Sequence, residues 1–120
     1  VTDVQRVETE KIVNLRPAEN SNTIRKRVER AQEIQKERYK ETGILYNSEL
    51  IPKKLNKYCV MTKEAKDLLR LVTDRFALSG RAVVKIMKVS RTIADLRESE
   101  IIDVQDVSEA VQYRTREFLA

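Results

Sequence analysis

Arg81 has the type and position to do chemistry. It follows Ser79 by two residues, and a serine there can cap a helix by accepting a hydrogen bond from the N–H of Arg81 or Ala82. Arg81 therefore falls in the first helical turn, where the helix dipole favours acidic side chains over basic ones. A guanidinium in that turn is either tolerated on a solvated end or is there to meet an anion. Lys85 lies one turn further on, on the same helix face.

Other chemistry is thin. The chain has no His, so imidazole acid–base catalysis and His-ligated metals are excluded. Cys59 has no His to activate it and reads as a small buried apolar residue. Gly43 and Gly80 are too far apart for a GxxxxGK[ST] phosphate loop. No acid stands in an isolated apolar setting that suggests a raised pKa. On these grounds the chain alone is not expected to be an enzyme.

The elements that must position Arg81 are helical. Two Gly and 2 Pro in 120 residues leave little for a many-turned sheet, and the composition leans to all-α. The stretch from Leu78 to Leu96 reads as one helix with apolar residues at Ala82, Val83, Ile86, Val89, Ile93, Ala94 and Leu96, ending near Glu98. Arg91 is offset from Arg81 by about a quarter turn and reads as a surface or interdomain salt bridge.

Before it, Ser21 begins a helix to about Lys40, with Ile24, Val28, Ala31, Gln35 and Tyr39 on its inner stripe and Gly43 as its stop. Asn47-Ser48 marks a turn. Pro52 opens a short helix with Leu55, Tyr58 and Cys59 inward. Thr62 caps the next, whose Ala65, Leu68, Leu69, Val72 and Phe76 give the cleanest amphipathic pattern and are expected at the centre of the core. Asp103 and Asp106 open the last helix in a short analogue of a capping box, with Val107, Ala110, Val111 and Arg114 inward. The fold class expected is all-α, a compact bundle of about five helices. The boundaries expected are an extended segment and linker over 1–20, with a short strand near Val4–Val7, and a helical domain over 21–120.

Net charge is +5, from 24 basic and 19 acidic residues, which permits a phosphate-bearing partner without requiring one. No apolar run approaches the roughly 18 residues of a membrane span. The single Cys fits a reducing compartment, and the cytoplasm is the expected location. The first residue is Val rather than Met, so a fragment of something longer is expected.

Two stretches carry a resemblance. They are Leu78-Ser79-Gly80-Arg81-Ala82 running through Lys88-Val89-Ser90-Arg91-Thr92-Ile93-Ala94-Asp95-Leu96, and Ile102 to Arg114. Thr23 to Val28, Ala31, Gln35, Arg38-Tyr39 and Asn47-Ser48-Glu49 agree with it. Together they resemble the C-terminal region of magnesium-chelatase-related AAA+ ATPases, nearest to the competence-associated, chelatase-like bacterial group. The resemblance implies an AAA+ helical lid over a nucleotide. It gives Arg81 the sensor-2 role, reaching the γ-phosphate of ATP, with Lys85 widening the basic surface.

It also implies that ATP and Mg are bound in the full-length protein, with the Walker motifs and metal site outside this chain. Expected partners are the AAA+ core of the same polypeptide and further copies in a homo-oligomeric ring, with DNA a candidate target and no membrane. Val1 to Val7 is similar to the last strand of that core. The competing reading is an independent helical DNA-binding or protein-interaction module, with Phe118 and Leu119 as the candidate protein-binding surface.

Overall fold

The computed structural model describes residues 21–119, with side chains described over 22–114. The expected extended segment and strand over 1–20, and the side chains of Phe118 and Leu119, lie outside the described residues. Five α-helices follow in order: α1 Ser21–Arg38, α2 Pro52–Tyr58, α3 Lys63–Phe76, α4 Gly80–Leu96 and α5 Val104–Leu119. A single 3-10 turn, Asn47–Glu49, lies between α1 and α2. The all-α expectation holds.

The inner stripe of α1 is as the spacing implies. Val28, Ala31, Gln35 and Tyr39 are buried. The helix stops at Arg38, short of the expected Lys40, and Tyr39 N–H donates to Gln35 O at 3.0 Å. The chain then turns through Glu41 at φ 71° and Gly43 at φ 86°. Glycine takes that left-handed conformation without a Cβ penalty; Glu41 takes it with one.

Pro52 sits at the start of α2, where a fixed φ suits the helix and a missing N–H costs nothing. Leu55 and Cys59 are buried beneath it, and the Cys59 thiol lies 3.9 Å from Met87 O. The Thr62 hydroxyl accepts from Ala65 N–H at 3.1 Å and so caps α3. Ahead of α5, Asp103 N–H donates to the Asp106 carboxylate at 2.9 Å, the acid half of the expected capping pair. One isolated parallel bridge, Met61 with Ile102, ties the segments leading into α3 and α5. Its bonds run from Ile102 N–H to Val60 O at 2.8 Å and from Thr62 N–H to Ile102 O at 3.0 Å.

The centre of the core is α4, not α3. Every residue from Val89 to Leu96 is buried. Ile86, Val89, Ile93 and Leu96 pack with Val28 and Ala31 of α1 and with Ala110 and Tyr113 of α5. Ala94 packs into a second cluster with Tyr39, Leu55, Cys59, Ile102 and Val107. The amphipathic stripe of α3 is buried at Ala65 and Val72 but leaves Phe76 63% exposed at its end. A clean stripe marks a helix with one wet face; the helix at the centre is buried all round from Val89 to Leu96, its polar Ser90, Arg91, Thr92 and Asp95 included.

Candidate functional site

Arg81 and Lys85 stand where the sequence puts them. Ser79 Oγ accepts from Ala82 N–H at 3.2 Å, and Val83 N–H donates to Ser79 O at 3.0 Å. The left-handed residue Ala77, at φ 49°, ends α3 and lets the chain enter α4 within three residues. Arg81 and Lys85 are both exposed, and the first turn of α4 carries no acid. Neither cation makes a hydrogen bond or ion pair with another described residue. Ala82 and Ile86, next to them in sequence, are buried and fix the helix face. The result is two cations, one turn apart at a capped helix start, without a partner among the described residues. Fork donors and uncommitted N–H groups there suit a phosphate.

The other end of α4 carries a buried polar cluster that the sequence reading did not find. Arg91 is 1% exposed and Asp95 0%. Arg91 is therefore not a surface salt bridge. It pairs with Asp95 at 3.2 Å and donates to the carbonyls of Tyr58 at 3.2 Å, Glu100 at 2.8 Å and Ser99. Arg38, from the last turn of α1, grips the same carboxylate through both terminal nitrogens.

Asn47 completes the cluster. Its side-chain NH2 donates to Asp95 at 2.9 Å and to Thr92 Oγ1 at 3.1 Å, and its oxygen accepts from Arg38 at 3.2 Å and from the Tyr39 hydroxyl. Gln35 Oε1 takes the Asn47 backbone N–H at 3.1 Å. The turn read at Asn47-Ser48 is present, but its Asn is a buried hub rather than a surface turn residue.

The electrostatics follow from burial. Burial pushes the Arg91 guanidinium below its ordinary value, against the pull of Asp95. Burial also lowers Arg38, but hydrogen bonding and attraction to Asp95 outweigh it and hold Arg38 above its ordinary value. The shared carboxylate thus serves Arg38 more fully than Arg91. Burial pushes the Cys59 thiol up to about 11 and the Tyr39 hydroxyl up to about 12, so both are neutral at pH 7. Cys59 is an inert core thiol, as its sequence context implies.

A sequence signal for the cluster did exist. From Val89 to Leu96 the only charged residues are Arg91 and Asp95, spaced i,i+4 within an otherwise uncharged run. A lone complementary pair in such a run is what a helix buried all round can hold. Among the described residues no group of acids, Cys or His could hold a metal, and no helix is long and apolar enough to cross a membrane.

Residues 18–114 match the family model described as magnesium chelatase, subunit ChlI C-terminal. The chain is 38% identical over 96 residues to the uncharacterized protein YifB of Salmonella typhimurium, covering 80% of this chain and 18% of that protein. It is 36% identical over 98 residues to YifB of Escherichia coli, covering 82% and 19%. It is 34% identical over 96 residues to competence protein ComM of Haemophilus influenzae, covering 80% and 18%. The chain thus spans less than a fifth of the length of these curated relatives.

Proposed function

The chain belongs to the magnesium chelatase subunit ChlI C-terminal family, and on that premise we propose that it is the helical lid of a chelatase-like AAA+ ATPase, with Arg81 as its sensor-2 contact to ATP. The observation that carries this reading is the state of Arg81: exposed, without a partner among the described residues, and in the first turn of a helix capped by Ser79. A cation there loses energy to the helix dipole unless an anion compensates it.

Arg81 and Lys85 fit a polyphosphate, since no acid in the first turn of α4 competes for them. In this reading residues 1–20 lead from the nucleotide-binding core, and 21–120 form the lid. Bound ATP, with Mg held by the core, supplies the negative charge and the bond to be hydrolysed. Arg81 supplies a two-donor fork at the terminal phosphate, where charge must be stabilised. Lys85 adds a second positive charge one turn along. The rigid core around α4 makes the helix a lever, so a pull on Arg81 moves the bundle as a unit. Partners in this reading are the core of the same polypeptide and neighbouring copies in a cytoplasmic ring. DNA remains a candidate target of the whole protein, supported by the charged first helix and the net charge of +5.

The test is ATP turnover by the full-length protein carrying Arg81→Ala. The expected loss is on the order of a hundredfold, the scale of removing one charge-stabilising donor. Turnover equal to that of the unsubstituted protein overturns the assignment.

A further inference from the structure

We propose that the groove between α1 and the chain around Tyr58 and Glu100 binds a small monocarboxylate with an apolar body. The groove encloses about 650 Å³, within the range of roughly 300–1,000 Å³ that suits small organic molecules. Arg30, Ile34, Glu37 and Arg38 of α1 form one wall, Lys57, Tyr58, Val60 and Glu100 the other, and the buried Arg91 also lines it. Neither Arg81 nor Lys85 takes part. Arg91 lies ten residues further along α4 than Arg81, roughly 15 Å at helical rise, so the inference does not rest on the nucleotide reading.

Unused donors carry the argument. Both terminal nitrogens of Arg91 are engaged, by Asp95 and three backbone carbonyls, but its Nε–H is buried without a partner. Such a group costs free energy and calls for an acceptor. Arg38 meets Asp95 and Asn47 through its terminal nitrogens, which leaves the edge formed by its Nε–H and outer Nη2–H without a partner among the described residues. That planar two-donor edge matches a carboxylate. The Lys57 ammonium lies over the Tyr58 ring at 5.3 Å and pairs with no acid among the described residues.

Charge and apolar surface select the ligand. The buried Arg91 and the part-buried Arg38 share one buried carboxylate, an excess of one positive charge among these three side chains. Cys59 and Tyr39, which face the cluster, are neutral and do not offset it. Glu33, Glu37 and Glu100 also line the groove, and each repels a dianion about twice as strongly as a monoanion. Ile34, Tyr58 and the half-exposed Val60 offer contact to an apolar body.

The experiment titrates hexanoate into the chain and follows the arginine Nε–H resonances by NMR, with inorganic phosphate and hexanol as comparators. The expected result is a saturable shift at Arg38 and Arg91, none at Arg81, and weaker binding of both comparators. Lys57→Gln and Glu100→Gln change exposed side chains, so the fold is not at stake. The first is expected to weaken hexanoate binding and the second to tighten it, each by roughly two- to fivefold. The proposal is overturned by no saturable shift at Arg38 and Arg91, by phosphate or hexanol binding as tightly as hexanoate, or by the two substitutions failing to act in opposite directions.

Discussion

Arg38, the last residue of α1, and Asp95, near the end of α4, meet across 57 positions of sequence as an end-on pair, with Nη1 donating to Oδ2 at 2.9 Å. Asp95 also holds Arg91 at 3.2 Å and Asn47 at 2.9 Å. One carboxylate therefore joins α1, the 3-10 turn and α4. Its removal leaves the buried Arg91 and the part-buried Arg38 with no counter-charge. Asp95→Ala is expected to cost about 3–5 kcal/mol of stability, read as a fall in the urea midpoint. A loss below about 1 kcal/mol would show that water reaches the cluster and screens it.

The caps make a smaller and separable prediction. Thr62 Oγ1 and Ser79 Oγ each accept one backbone N–H, from Ala65 at 3.1 Å and from Ala82 at 3.2 Å. Thr62→Ala and Ser79→Ala are each expected to cost about 1 kcal/mol. The two caps serve different helices and share no partner, so the double variant is expected to lose about the sum. Equilibrium denaturation of the two single variants and the double variant checks this.

Cys59 and Tyr39 set a dependence on alkaline pH. Burial raises the thiol from 9.0 to about 11 and the phenol from 10.0 to about 12. On raising the pH the unfolded chain releases these protons first, while the native state keeps them. Stability from these groups is therefore complete below about pH 9 and is lost as pH rises through about 11 and 12. Urea midpoints between pH 8 and about 11 are expected to fall, and to fall less steeply in Cys59→Ala. An equal slope in that variant would mean that the thiol titrates alike in both states.

Much of this was legible in the sequence, for identifiable reasons. The Ser79 and Thr62 caps, the Asp106 acid ahead of α5 and the inner stripe of α1 are local, and they appear as read. Arg81 stands out in the sequence because a cation breaks the dipole rule at a helix start, and its contact to a nucleotide is a proposal. The rank of the helices was not legible. Amphipathic contrast pointed to α3, yet the buried helix is α4, where polar Ser90, Arg91, Thr92 and Asp95 are buried alongside the apolar residues between Val89 and Leu96. The Arg91–Asp95 pair was missed because charge was taken as a sign of surface. Its nearest partners, Arg38 and Asn47, come from far earlier in the chain, and no local pattern announces them. Glu41, Ala77 and Glu98 are non-glycine residues at positive φ, and sequence alone does not mark them.

The contact between Arg81 and the terminal phosphate is tested most directly by comparing two affinities in the full-length protein. ATP and ADP binding are measured with and without Arg81→Ala, with turnover prevented by omitting Mg. The account predicts that Arg81→Ala weakens ATP by about tenfold or more, the scale of a lost charge-assisted hydrogen bond, and leaves ADP nearly unchanged. Equal effects on ATP and ADP, or no effect on either, would contradict it.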